Sequence, residues 1–217
     1  AGAMEPHTGR YFDSLEGNGS TCSRKELEVL LEKSGLGEYR MYYPYPERWF
    51  PMSMYSDHWL PGAGELNQNL RNFEGERLVL FDEEKVYDQI IADGRFPEFS
   101  NTFLIVAGPE RSDLPVYVKY SNDRAKEFMI RTDILKTEDG CQVRKVPVSR
   151  EAKAHVTAMK RWEEVLGTQY AAACVKVNHC ELKEDAAYFE FLSGHTLEER
   201  LDDLRAQKEY GKLAAAL

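Results

Sequence analysis

The spacing of apolar residues predicts a helix near the N-terminus. In the run SRKELEVLLEKSG, leucines recur at helical spacing and fall on one face. Ser23, or Thr21 before it, can cap the first turn, and Glu26 follows Ser23 at the spacing of a capping box. Gly35 is the expected stop. Residues Ala1–Ser20 show no periodicity and are predicted to form a loop.

A strand, an irregular stretch, a helix and a second strand are expected next. The run EYRMYYPYP alternates and should end at Pro44 and Pro46, since proline cannot donate to a sheet. Residues Glu47–Gly75 are aromatic and punctuated by proline and glycine, which favours an irregular insert packed on an apolar surface. Arg77–Gly94 has a helical pattern, and SNTFLIVAG is a continuous apolar run typical of a buried strand.

The second half alternates strands around one central helix. VYVKYSNDRAKEFMIRTDIL is two alternating runs joined by a polar turn, which predicts a β-hairpin, and TEDG leads into VRKVPV, the strand that carries Lys145. Ser149 caps the following helix, and strands around Val175 and Phe189 come next. Thr196 caps a last helix, LEERLDDL. The apolar face of the central helix is expected to contain Ala152, Val156, Met159, Trp162, Val165 and Leu166.

Length and charge limit the classes of function. A chain of 217 residues can bury a substantial core in one large or two small domains. Its net charge of −9 argues against non-specific nucleic-acid binding, which needs a basic surface. No apolar run approaches the ~20 residues that cross a bilayer. The four cysteines form no CxxC pair, so we expect no metal site and small buried thiols in a reducing cytosol.

The polar segment PERSDLP is the expected domain boundary. It divides the chain into residues 1–108 and residues 116–211. The closing residues 212–217, KLAAAL, match a common expression-vector scar or continue the preceding helix. Both ends are abrupt, which favours an excerpt of a longer protein.

The first half resembles the C-terminal part of class I S-adenosylmethionine-dependent methyltransferases. The resemblance is carried by AGAMEPHTGRYFDSLEGN, SRKELEVLLEKSGL, EYRMYYPYP and SNTFLIVAG. It implies the end of a doubly wound α/β sheet, finished by an antiparallel pair at Glu38–Tyr45 and Asn101–Ala107. The aromatic insert resembles methyltransferases of bacterial surface-polysaccharide clusters. No GxGxG follows a strand, so S-adenosylmethionine is expected to bind only in a longer parent protein.

The loop HTGRYFDSLEGN would face the substrate side of that site. His7, Arg10 and Asp13 could orient an acceptor hydroxyl or act as general base, for which histidine has a suitable pKa. Alternatively, these polar groups tie down the backbone of their own loop. A small stand-alone enzyme that uses His7 and Asp13 is a further alternative.

The second half resembles the small lobe of kinase-like phosphotransferases. The order of strand with lysine, helix, two strands, turn and helix carries this resemblance. It implies that Lys145 holds the α and β phosphates of a nucleotide and that Glu151 keeps this lysine in place. The turn SNDRAKE would cover the phosphates, with Ser121 and Asn122 as donors. Lys119 is a rival for the lysine.

The segment EFLSG resembles the connector of that lobe. The backbone groups of Glu190 and Leu192 would meet an adenine ring there. The alternative for Lys145 is a solvated charge on an edge strand. No HRD- or HGD-like loop and no DFG-like metal motif follows Leu201, so the excerpt alone is not expected to transfer a phosphoryl group.

Together the halves resemble bifunctional methyltransferase–kinase proteins that modify the growing end of bacterial surface polysaccharides such as lipopolysaccharide O-antigen. The expected fold class is α/β (α+β): the end of a methyltransferase sheet followed by a kinase-like small lobe with an antiparallel sheet and one main helix. The resemblance implies S-adenosylmethionine and ATP with Mg²⁺ as cofactors of the parent protein. It also implies a saccharide or lipid-linked glycan acceptor, and a cytoplasmic location that partners bring to the inner membrane.

A non-catalytic scaffold module is the alternative function. It would dock a glycosyltransferase or another assembly partner. The aromatic insert, Trp49–Trp59, separates the two functions. One exposed aromatic patch favours docking, whereas burial against the sheet makes the insert part of the core.

Overall fold

The computed structural model describes residues 4–5, 10–11, 22–46, 48–66, 83–100, 102–109, 111–170, 172, 177–194 and 197–212. Its helices are α1 (Arg24–Lys33), α2 (Glu83–Ala92), α3 (Lys153–Gln169) and α4 (Leu197–Ala206). Its strands are β1 (Met4–Glu5), β2 (Arg10–Tyr11), β3 (Tyr39–Tyr45), β4 (Ser53–Ser56), β5 (Leu104–Ala107), β6 (Pro115–Tyr120), β7 (Ile130–Thr137), β8 (Gly140–Pro147), β9 (Cys180–Lys183) and β10 (Ala186–Glu190).

One eight-stranded antiparallel sheet organises the described residues. Its order is β5-β3-β4-β6-β7-β8-β10-β9, and β1 and β2 form a separate pair. The fold is therefore mixed α/β, as expected. The antiparallel pair expected from Glu38–Tyr45 and Asn101–Ala107 is present as β3 and β5.

The helices pack on one face of the sheet, which we call the helix face. Residues directly opposite in antiparallel strands share a face. A single row of such residues crosses seven strands: Tyr45, Ser53, Lys119, Thr132, Lys145, Ala187 and Leu182. Tyr45 belongs to the core under α1 and α2, and Ala187 belongs to the core under α3. Both cores therefore lie on the helix face.

Two separate cores hold the helices to this face. The first contains Tyr43 and Tyr55, against which Leu27 of α1 and Ile90 of α2 pack, among other residues. The second contains Val156 of α3 together with Ile130, Cys180 and Ala187. The strands β6 and β7 connect the two cores, because Tyr117 of β6 packs on the first and Ile130 of β7 belongs to the second.

The opposite face buries a charged group. The carboxylate of Asp133 is fully buried and accepts hydrogen bonds from Arg131 (Nε to Oδ1, 2.8 Å) and Arg144 (Nε to Oδ2, 2.9 Å). A buried carboxylate is stable only with such partners. The ion-paired set therefore ties β7 to β8 on the side away from the helices.

The segment predicted to be a linker is bound to both halves of the chain. Arg40 donates to the carbonyl oxygen of Leu114 at 2.7 Å, and Arg144 donates to that of Asp113 at 3.5 Å. Since β4 also pairs with β6, the sheet continues past residues 111–114 without a break. A domain boundary at this segment stays a prediction.

Helix α1 is confirmed in detail. It begins after Ser23, whose hydroxyl accepts from the backbone of Glu26 while the Glu26 carboxylate accepts from Ser23. This is the reciprocal capping box that the sequence predicts. Gly35 follows with a φ of +73°, a left-handed conformation that glycine adopts without strain. The hairpin of β6 and β7 is confirmed as well.

Four expectations about strands are wrong. Met4–Glu5 and Arg10–Tyr11 pair with each other inside the predicted loop. Pro44 does not end β3, because the strand continues through it to Tyr45. The insert predicted to be irregular contains β4. The apolar run predicted to be a buried strand is β5, which lies at the edge of the sheet with Leu104 exposed.

The central helix begins later than predicted. Ser149 accepts from the backbone N–H of Ala152, but α3 itself starts at Lys153. Its predicted apolar face is only partly correct, because Trp162 and Leu166 are exposed. Val175, Thr196 and residues 213–217 lie outside the described residues.

Candidate functional site

Two lysines and a threonine lie side by side on the helix face, between the two cores. Lys119 on β6 is opposite Thr132 on β7, and Thr132 is opposite Lys145 on β8. We call these three residues the lysine row. It combines both residues that sequence analysis treats as rivals for a phosphate-binding lysine.

Lys145 is half-buried on an interior strand. Because β8 lies between β7 and β10, the alternative of a solvated lysine on an edge strand is wrong. Burial lowers the pKa of Lys145, and the positive charge of Arg124 lowers it further. Its ammonium lies 6.0 Å from the centre of the Phe189 ring, a weak cation–π contact.

The positive charges at the lysine row are not neutralised by the described residues. None of Lys119, Arg124 and Lys145 forms an ion pair with a carboxylate in the part of the chain that the structure describes. Lys119 and Arg124 are exposed, so burial makes an unpaired charge costly only at Lys145, where the charge of Arg124 adds to the cost. An anionic ligand is the group that would neutralise such an arrangement.

The turn between β6 and β7 is held firmly in place. The backbone N–H of Ser121 donates to Ile130, and that of Arg124 donates to Ser121. The side-chain amide of Asn122 donates to the carbonyl oxygen of Pro51 at 2.8 Å. Asn122 therefore fastens the turn to the loop between β3 and β4, and the turn carries Arg124 to the end of the sheet near Lys145.

An apolar row lies beside the lysine row on the same face. Tyr117, Ile134 and Val143 are opposite one another on β6, β7 and β8, two residues further along each strand. We call these three residues the aromatic row. Two residues along a strand span about 7 Å. The helix face therefore places a cationic row and an apolar row next to each other.

Two aromatic rings from distant parts of the chain meet at the aromatic row. The indole of Trp59 stacks on the ring of Tyr117, with centroids 6.0 Å apart and planes at 27°. The ring of Phe191 meets the same indole edge-on at 5.5 Å and 85°. Both Trp59 and Phe191 are half-buried.

The other three predicted nucleotide contacts lie in the turn before α3 and at or just after the end of β10. Glu151 is exposed in the turn before α3. The carbonyl oxygen of Glu190 accepts from the side chain of Asn178 at 2.9 Å. Leu192 is 52% exposed. These three positions stay predictions.

The predicted methyl-acceptor residues cannot be described in the same way. His7 and Asp13 lie outside the described residues, and Arg10 belongs to β2 but its side chain is also outside them. A surface cleft of about 390 Å³ lies at the end of β3 and β5, lined by Arg40 and His58 among others. It contains none of the predicted site residues.

Two features are absent from the described residues: a cluster of metal-ligating side chains and a helix that could span a membrane. They contain no group of three or more His, Cys, Asp or Glu side chains that could hold a metal ion. Across the same ranges, no helix has the length and apolarity needed to span a bilayer.

Sequence analysis missed three residues of the region. Arg124 belongs to the turn SNDRAKE, for which the resemblance pointed only to Ser121 and Asn122 as donors. The charge of Arg124 is nevertheless evident from the sequence. Thr132 and Trp59 carry no local signal, because their place beside Lys145 or Phe191 depends on strand register. Comparison with protein-family models, curated proteins and solved structures finds no match to this chain. Its function is therefore inferred from the residues themselves.

Proposed function

We propose that residues 116–211 form a nucleotide-binding lobe of the kinase-like kind, within a bifunctional methyltransferase–kinase of bacterial surface-polysaccharide biosynthesis. One observation supports this function best. In a chain of net charge −9, Lys119 and Lys145 share one face and Arg124 lies close enough to act on Lys145, without a carboxylate ion pair among the described residues. Partial burial of the unpaired Lys145 ammonium costs folding free energy, as binding sites commonly do. A triphosphate would offset that cost.

The order of the elements supports the same function. A hairpin of β6 and β7 comes first, β8 carries Lys145, α3 follows, and β10 returns to pair with β8. The same order underlies the resemblance to kinase-like small lobes. Helix α3 packs on β9, β10 and β8, the strand that carries Lys145.

Each residue of the region has a definite proposed task. Lys145 would hold a phosphate as a point charge, and Arg124 would bind it from the turn above. The Thr132 hydroxyl lies between the two lysines and can donate to a phosphate oxygen. Magnesium would arrive with ATP, which supplies the transferable phosphoryl group. Because no HRD- or DFG-like motif follows Leu201, we propose binding without transfer by this chain alone.

For residues 1–108 we propose the substrate-side end of the methyltransferase. The antiparallel pair of β3 and β5 supports this assignment. Its acceptor would be a saccharide or lipid-linked glycan, with His7, Arg10 and Asp13 as the proposed orienting groups. S-adenosylmethionine does not fit this chain alone, since no glycine-rich loop follows a strand. A cytoplasmic place at the inner membrane, reached through partners, belongs to the same proposal.

Isothermal titration of the chain with ATP and Mg²⁺ tests the nucleotide site. A charge-assisted hydrogen bond to phosphate contributes roughly 1.5–3 kcal/mol, so Lys145→Met should weaken binding roughly ten- to hundredfold. Lys183→Met is the matched control, because Lys183 is an exposed strand lysine paired with Glu181 on the other face. Absence of ATP binding, or equal binding by both variants, would reject the proposed function.

A docking module is the second candidate, and one observation favours it. Trp49 is 77% exposed and Phe50 is 43% exposed, with the guanidinium of Arg48 4.6 Å from the Trp49 ring centre. Exposed Trp, Phe and Arg side chains are typical of protein contact sites. The rest of the insert is different: Met52 and Tyr55 are buried in the sheet.

Binding to a glycosyltransferase that extends the same glycan tests this second candidate. Trp49→Ala with Phe50→Ala should abolish binding. Trp162→Ala should not, although Trp162 is 61% exposed on α3. Equal binding by both variants would exclude docking through this loop.

A further inference from the structure

The helix face presents two chemically different surfaces side by side. The lysine row is cationic, and the aromatic row beside it is apolar, with Trp59 stacked on Tyr117 and Phe191 edge-on to Trp59. The two rows are about 7 Å apart along the strands. A nucleoside triphosphate has the same division, with a flat apolar base at one end and phosphates at the other.

The aromatic surface is built by both halves of the chain. Trp59 lies in the aromatic insert, shortly after the end of β4. It is held by two backbone hydrogen bonds with Ser56 (2.9 and 3.1 Å). Phe191 is the first residue after β10, in the connector EFLSG. Their rings meet although β4 and β10, the strands that precede them in the chain, are not neighbours in the sheet.

We propose that Trp59 and Phe191 form the base-binding wall of the nucleotide site, so that the first half of the chain contributes directly to nucleotide recognition. This inference rests on the proposed function. The base stacks on the partly exposed indole, while the triphosphate extends along the strands to Lys145 and Arg124. Trp59 is thus a binding residue from outside the kinase-like lobe, in an insert that the sequence connects with packing or docking rather than with a nucleotide.

Stacking of a base on an aromatic ring sets the expected size of the effect. Such contacts change affinity by roughly five- to hundredfold when the ring is removed. The ring should matter for ATP but not for inorganic tripolyphosphate, which has no base. Lys145 should matter for both ligands. The two ligands therefore separate the base wall from the phosphate site.

The test measures binding of ATP and of tripolyphosphate to four variants by isothermal titration. Trp59→Leu and Phe191→Leu should weaken ATP binding at least fivefold and leave tripolyphosphate binding unchanged. Lys145→Met should weaken both. Trp162→Leu, a matched tryptophan that is 61% exposed on α3, should change neither.

Fluorescence provides a second measurement that needs no change at the site. The chain has three tryptophans, so Trp49→Phe with Trp162→Phe leaves Trp59 as the reporter. ATP should quench its emission, and tripolyphosphate should quench it much less. The base wall is wrong if ATP binds, neither Trp59→Leu nor Phe191→Leu weakens ATP binding, and the Trp59 emission is unchanged. That result would leave the proposed nucleotide site intact. If neither ligand binds the unsubstituted chain, the proposed function fails first.

Discussion

Lys119 and Lys145 lie on the same face of the sheet, in one row, with Thr132 between them. Neighbouring strands are about 4.8 Å apart, which places the Cα atoms of the two lysines about 10 Å from each other. Sequence analysis treats them as competing candidates for one role. Their common row makes them neighbours that could hold the same anion.

Binding of a phosphate ligand should depend on the protonation of Lys145. Its pKa lies below the ordinary lysine value of 10.5 because of burial and of Arg124. Because the anion binds the charged form of Lys145, its affinity should be highest below the lowered pKa and should fall as the pH rises through that pKa. Titrations with tripolyphosphate from pH 7 to 10 check this. Lys145→Arg, which stays charged, should flatten the profile, and an unchanged profile would exclude Lys145 as the ligand.

Asp133→Asn should destabilise the fold strongly. The substitution leaves the guanidinium groups of Arg131 and Arg144 without their buried counter-charge, at a cost of about 3 kcal/mol or more. Urea unfolding measures the change. Asp113→Asn is the control: Asp113 forms an exposed pair with Arg111, and its loss should change the free energy of unfolding far less. Equal effects of the two substitutions would contradict the role given to Asp133.

Ser23→Ala should cost about 1 kcal/mol of the free energy of unfolding, because it removes the cap of α1. Ser23→Gly should cost only a few tenths of that, since glycine leaves the backbone N–H groups open to water. Ser34→Ala, at the exposed other end of the helix, is the control. Thermal melts followed by circular dichroism check all three variants. A loss at Ser34 as large as that at Ser23 would argue against the capping box.

Glu163 should make the fold sensitive to acid. Its carboxylate accepts from Lys160 at 2.6 Å and contacts His179 at 2.8 Å, and these bonds lower its pKa from 4.5 to about 2. A lowered carboxyl pKa stabilises the fold above pH 4.5, and the contribution is lost as the pH falls toward about 2. The advantage over Glu163→Gln in urea unfolding should therefore shrink from pH 6 to pH 3. Glu164→Gln, a substitution of the exposed neighbour, is the matched control, and an equal effect of the two substitutions would contradict the role given to Glu163.

Elements defined by local chemistry are the ones that sequence analysis predicts well. The start and stop of α1 depend on Ser23, Glu26 and Gly35, which lie within one or two turns of the helix they end. The hairpin of β6 and β7 depends on alternation around a polar turn. In each case the interacting groups are close in sequence, so the sequence pattern is sufficient.

Elements whose character depends on distant partners are predicted less well. Continuous apolarity suggested a buried strand for β5, but its position at the edge follows from pairing with β3 alone. Pro44 was expected to end β3, yet the strand continues to Tyr45, because Pro44 and Tyr45 lie in register with Met54 and Ser53 of β4 and beyond the residues that pair with β5. Trp162 has the spacing of a core residue on α3 and is nevertheless exposed.

The sequence alone determined the cap of α1 and the β6–β7 hairpin, and it identified Lys145 as a candidate phosphate-binding residue. The tertiary structure decided that Lys119, Thr132 and Arg124 belong with it, and that Trp59 meets Phe191. The physical reason is range. Caps and turns are formed by neighbours in sequence, whereas a shared face depends on the register of strands that only the folded sheet brings together.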